Sequence, residues 1–243
     1  MSRAEVARAG RRALLALAAV ALAGRAGGQT AEERKEFFDA LEANEPVAVR
    51  KLLVRGVSSN LVDPERGPAI VFAAQARGFQ ALRVLLDSRL TDIDARNSRG
   101  ETALMYAALH GELDVARLLL RRGAQVNMSG WTPLHYAAIG GRTEMITLLL
   151  EHHAYIDSPS ANGTTPLMMA ARDGQFRIAR LLVEQGADPS LRNEAGLGAP
   201  EYLLRRGDEA EARWMAERAT EFLRRYGTRE APVRAERPDE TRR

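Results

Sequence analysis

Four histidines and no cysteine bound the chemistry this 243-residue chain can do. Without thiols there are no disulfides, no thiolate nucleophile and no cysteine metal site. His135 stands alone in "GWTPLHYAAIGG" (residues 130–141), three residues past Thr132. That spacing suits a side chain reaching back to a helix N-cap, much as Glu does in a capping box. His152, His153 and Asp157 form the other grouping. Adjacent histidines point apart on a helix, and a metal site needs more ligands than Asp157 adds. A metal-dependent or enzymatic protein built on His152, His153 and Asp157 is the alternative from another class. The acidic residues alternate with Lys and Arg and read as solvated faces. No Ser, His and Asp arrangement stands out. The glycines do not form a phosphate-cradling loop, because they recur at a fixed period. We expect no catalytic residue and no cofactor.

The period identifies the elements behind these residues. Gly67, Gly100, Gly130, Gly163 and Gly196 open successive segments at spacings of 33, 30, 33 and 33. Such a period marks stacked supersecondary units. In the unit from Gly130, Thr132 is placed to cap a helix and Pro133 to begin it. Ala137 and Ala138 keep that helix thin, and Gly141 ends it. Met145, Ile146, Leu148 and Leu149 then give a second helix one apolar face. Gly123 and Gly186 stand just past second helices, where a left-handed residue is wanted; His153 occupies that place in one unit.

Gly-x-Thr-Pro-Leu-His-x-Ala-Ala at 130–138, Gly-x-Thr-Pro-Leu at 163–167, the alanine pairs 107–108 and 170–171, and the Leu-Leu pairs before Gly123 and Gly186 resemble the ankyrin-repeat family. Met105 and Met168 replace the motif histidine, Ala103 replaces the proline, and the 67–99 unit lacks the cluster. The resemblance implies an all-α solenoid: antiparallel helix pairs stacked side by side, with β-hairpin-like loops projecting from each junction. A concave face of first helices and loop tips would meet a protein partner. We expect an N-terminal cap over about 34–66, repeats at 67–99, 100–129, 130–162 and 163–195, and a C-terminal cap over about 196–228. Residues 29–33 are expected as a short linker and 229–243 as a disordered tail. The short step from Gly100 to Gly130 places a three-residue deletion after Asn127, in a loop.

The family pattern leaves some positions free. Inside the first helix these are Ala73, Tyr106, Tyr136 and Met169; just beyond lie His110 and Arg172-Asp173. The loop tips include Glu65-Arg66, Ser98-Arg99 and Met128-Ser129 with Trp131. Tyr, Trp and Arg are enriched at binding hot spots. The expected partner surface therefore comprises Trp131, Tyr106, Tyr136, Met169, His110, Arg172, Asp173, Arg99 and Met128. The tyrosines could instead pack between repeats.

Residues 1–28 have the order of a secretory signal: an arginine-rich start, an apolar run at 13–24, and a small-residue exit. The run is short for a bilayer span, which needs about 20 residues. Cleavage after Ala23, Ala26 or Gly28 is possible, with Gly28 favoured, and Sec is favoured over Tat despite Arg11-Arg12. An uncleaved anchor is the alternative. Residues 1–28 hold five Arg and one Glu, so the remainder carries 30 basic and 31 acidic residues, net −1. That gives no basic field for nucleic acid. The expectation is a periplasmic or secreted bacterial monomer that binds another protein, with no membrane insertion after cleavage. A secreted effector aimed at a host protein is the alternative within binding.

Overall fold

The computed structural model describes residues 29–227. The expected signal at 1–28 and tail at 229–243 lie outside them. The chain divides into two compact units. One comprises residues up to Ala107 with Asp114–Ala124; the other comprises Ala108–Leu113 with the residues from Gln125 on.

The first unit opens with helix α1 (Ala31–Glu42) and α2 (Pro46–Val54). The expected linker is largely helical, because Thr30 and Glu33 form a reciprocal capping box that starts α1 at Ala31. A two-stranded antiparallel hairpin, β1 (Val62–Asp63) with β2 (Gly67–Pro68), leads into α3 (Ala69–Gln75) and α4 (Phe79–Leu86). Phe37, Phe38, Leu41, Leu52, Leu82 and Leu85 make its core. Asn44 sits at φ 55° and turns its Oδ1 to the amides of Gln80 and Ala81, so one helix pair caps the second helix of the next. α3 starts one residue earlier relative to its glycine than later first helices do. Phe72, not Ala73, therefore takes the place that Tyr136 holds farther on.

Helices α5 (Ala103–His110) and α6 (Leu113–Arg121) run through the boundary between the units. The second unit continues with α7 (Pro133–Ile139), α8 (Thr143–Glu151), α9 (Pro166–Arg172), α10 (Phe176–Glu184), α11 (Ala199–Arg206) and α12 (Glu209–Tyr226). Ala137, Ala138, Ala170 and Ala171 are fully buried, which brings α7 and α9 into contact. A β-carbon at Gly140 would run into the carbonyl oxygen of Leu109. Three such carbonyls, at the ends of first helices, each accept a side chain from the following repeat: Arg142 to Leu109 (3.1 Å), Gln175 to Ile139 (3.2 Å) and Arg206 to Arg172 (3.2 Å). These bonds satisfy carbonyls that a helix leaves open at its C-terminus.

The loops obey the same period. Most close a narrow turn, with the amide of Ser160 on the carbonyl of Thr164 and that of Asn193 on Leu197. The missing residues fall where the spacing puts them. α7 and α9 are both 7 residues and α8 and α10 both 9, while the connection 122–132 is shorter than 152–165. Asn127 at its base still bridges to the next loop, donating to the carbonyl of His153 (2.8 Å) and accepting from the amide of Tyr155 (2.8 Å). A loop absorbs a deletion that would rotate a helix face by about 100° per residue. Ala138→Leu would overpack the first-helix seam and is expected to cost about 1–3 kcal/mol in chemical denaturation, with helix content retained.

Candidate binding surface

In the first unit two loop arginines, Arg99 and Arg66, are each held by an aromatic residue of a first helix. Tyr106 is only 6% exposed, and its hydroxyl donates to Glu101 Oε2 (2.6 Å). Arg99 Nε donates to that carboxylate (2.9 Å), and its Nη2 donates to the Tyr106 oxygen (2.8 Å). Asn97 Nδ2 adds a third donor to Glu101 Oε2 (2.7 Å). Burial first, then the Glu101 carboxylate, pushes the Tyr106 phenol up; the Glu101 hydrogen bond pushes Arg99 up as well. Arg66 holds the same place one repeat earlier but meets its aromatic neighbours through their rings. Its guanidinium lies 5.4 Å from the Phe72 ring and 6.0 Å from that of Phe38, and it bridges to Asp39 (3.0 Å). Composition gave no reason to single out Arg66 with Phe72; the one-residue shift of α3 hid their equivalence to Arg99 with Tyr106.

In the second unit Trp131 is 36% exposed. Its ring meets Tyr136 edge-on at 5.7 Å and lies 5.8 Å from His135. Tyr136, Met128 and His110 are half-buried, and Arg172 is exposed. Arg172 Nε bonds Asp173 Oδ1 at 2.8 Å, which raises the guanidinium pKa. Met169, by contrast, is 2% exposed. Buried in this way it presents nothing to a partner, and the same burial removes the ring of Tyr106 from the accessible set. The structure groups Trp131 with Tyr136, and in the other unit Arg99 with Tyr106.

His135 is fully buried and its two nitrogens are committed. Nδ1 accepts from the Thr132 amide (3.1 Å), so Nε2 carries the proton and donates to the Thr164 carbonyl (3.0 Å). The sulfur of Met105 stands in the same relation to the Thr102 amide (3.4 Å). His152 and His153 are exposed, and His153 sits at φ 63° in a turn. Asp157 Oδ1 accepts from the Asp188 amide at 3.0 Å. Among the described residues no group of three or more His, Cys, Asp or Glu could hold a metal ion.

Burial lowers the His135 pKa from 6.5 to about 4. Below pH 6.5 the unfolded chain takes up a proton that the folded chain refuses. Stability is thus full above pH 6.5 and is lost as pH falls toward 4, by up to about 3 kcal/mol. Denaturant titrations between pH 7 and 4 should show this loss, and His135→Gln, which keeps an acceptor for the cap, should flatten it.

A family model described as ankyrin repeats (3 copies) matches residues 37–129 and 125–193. The chain is similar to NF-kappa-B inhibitor epsilon of Homo sapiens, 39% identical over 167 residues, which cover 63% of this chain and 33% of that protein. It is similar to B-cell lymphoma 3 protein homolog of Mus musculus, 35% identical over 155 residues, covering 61% and 35%. A putative ankyrin repeat-containing protein of Treponema pallidum (strain Nichols) is 30% identical over 155 residues, covering 63% and 42%. The matched stretch is thus well under half the length of each of these relatives.

Proposed function

The chain belongs to the ankyrin-repeat family and is a protein-binding module, and from that premise we propose that it is exported and binds its partner around Trp131. The observation that carries the site is Trp131 itself. A large aromatic ring is held on a rigid repeat, braced by Tyr136 and His135, and left 36% exposed. It stands in the shortened connection 122–132, where the neighbouring connection 152–165 has three residues more. Aromatic anchors of this kind carry most of the free energy of an interface. Arg172 and Met128 belong to the same unit and would form the polar and apolar surroundings. Arg99 with Tyr106 in the other unit offers a guanidinium already oriented by Glu101. No cofactor and no catalytic step enters this reading: His135 is spent on two main-chain groups, and the work is recognition by a monomer. NF-kappa-B inhibitor epsilon, by its name, acts on another protein, which supports a protein as the partner here.

Export rests on the order of charge and hydropathy in residues 1–28, with Sec favoured over Tat and the periplasm or exterior of a bacterium as destination. N-terminal sequencing of the protein from its native cell should begin near Gln29 in an envelope or medium fraction. A cytoplasmic chain that retains Met1 would defeat the assignment.

Trp131→Ala should leave the thermal melt within a few degrees of the parent. Partner capture from the native envelope, quantified against the parent protein, should weaken by about 2 kcal/mol or more. An early melt would show Trp131 to be core. A normal melt with undiminished capture would move the site elsewhere.

A further inference from the structure

Helix α1 starts abruptly. Gln29 lies outside any helix and is half-buried, Thr30 is the N-cap, and the helix runs from Ala31. The cap is complete in itself. The Thr30 hydroxyl accepts from the Glu33 amide and the Thr30 amide donates to Glu33 Oε2, each at 3.1 Å. The Thr30 carbonyl accepts from the Arg34 amide at 3.0 Å. None of these bonds uses the side chain or the amino nitrogen of Gln29. The first unit's capped helix therefore begins at Thr30, and Gln29 is the one residue between that cap and the cut expected after Gly28. Two small residues, Ala26 and Gly28, stand at alternate places before the cut, which is the pattern a signal peptidase reads.

We propose that Gln29 closes on itself once export has freed it, so that the mature protein begins with pyroglutamate. The proposal rests on the reading of export given above. Its chemistry needs no second reactant. The α-nitrogen of Gln29 attacks its own side-chain Cδ and a five-membered lactam forms. The bond from Cδ to Nε2 breaks, and ammonia leaves with a proton taken from the amine. Nothing is oxidised or reduced, and no water is consumed. An α-amine has an ordinary pKa of about 7.7–8.0, so near neutral pH a share of it is unprotonated and nucleophilic. Of the three candidate cuts, only the one after Gly28 presents a glutamine; those after Ala23 and Ala26 present Gly24 and Gly27.

The geometry gives the ring something to protect. An aminopeptidase that removed Gln29 and then Thr30 would take away the hydroxyl and the amide that start α1. That helix supplies Phe37, Phe38 and Leu41 to the core of the first unit. A terminal repeat has a neighbour on one side only, so its own helix ends carry more of its stability. A lactam presents no free amine to an aminopeptidase. It also replaces an ammonium by a neutral group at the end of α1 that the helix dipole makes positive. The cap loses nothing, because every bond in it belongs to Thr30, Glu33 and Arg34.

The test takes the protein from the envelope or medium fraction of its native cell and labels its free amines before any digestion. Trypsin then cuts after Arg34, and the terminal peptide is sequenced by tandem mass spectrometry. The expected peptide covers residues 29–34, carries no label and is lighter than its sequence by one ammonia. Pyroglutamate aminopeptidase should remove the ring and expose the Thr30 amine to the label. In a Gln29→Ala chain the same peptide should take the label. A labelled, uncyclised Gln29 would overturn the proposal and leave export intact. So would a peptide that begins at Gly24 or Gly27, one blocked without loss of ammonia, or a block that survives Gln29→Ala. A chain that retains Met1 would overturn the proposal and the export reading together.

Discussion

The close approach of first helices is the constraint on which the rest of the second unit depends. Where Gly140 meets the Leu109 carbonyl there is no room for a side-chain carbon. Buried alanines at 137–138 and 170–171 hold the same spacing along the seam. Once the backbones are this near, a side chain from one repeat reaches the last carbonyls of the repeat before it, as Arg142, Gln175 and Arg206 do. Each repeat then depends on its neighbour for both burial and hydrogen-bond satisfaction, which is the energetic signature of a solenoid. The loops inherit the same rigidity: Trp131 is held by the rings of Tyr136 and His135 beneath it, so little ordering entropy would remain to be lost on binding.

The candidate surface is therefore a set of leftovers in a precise sense. Residues that the stack requires are small, apolar or capping, and those it does not require are free to differ. Trp131, Arg172 and Met128 belong to the second kind. Tyr106 stands between the kinds: its ring is packed, and its hydroxyl organises Glu101 and Arg99 at the loop. Such a tyrosine offers no ring surface of its own and serves to orient the arginine.

Much of this was legible in the sequence, and the physical reasons separate what was from what was not. Thr132, Pro133 and His135 announce a capped helix because capping is local in sequence. The deletion after Asn127 was readable because helices tolerate no such change and loops do. Burial of Met169 was not readable, since whether a first-helix residue faces the seam or the open side depends on its neighbours' volume. The register of α3 is hidden for a related reason: without Thr-Pro-Leu-His at 67–72 only the glycine spacing marks the unit, and that spacing points to Ala73 where the structure has Phe72. The start of α1 was set too late because Thr30 and Glu33 abut the apparent signal.

His135 gives this array a fault line. In the repeats on either side the equivalent positions hold Met105 and Met168, which have no proton to gain, and only α11 at the end of the array has a titratable group there, Glu201; among the inner repeats acid therefore acts on one rung alone. Protonation there would cost the Thr132 amide its acceptor and place a charge against the Thr164 carbonyl's repeat without water to solvate it. In a quasi-one-dimensional stack a break at one rung removes support from both sides. Mild acid should therefore not loosen this protein evenly. It should part the chain near residues 130–165 and leave the flanking repeats to fray outward from the gap, so that sensitivity to acidity is a property of place within the chain as much as of the whole.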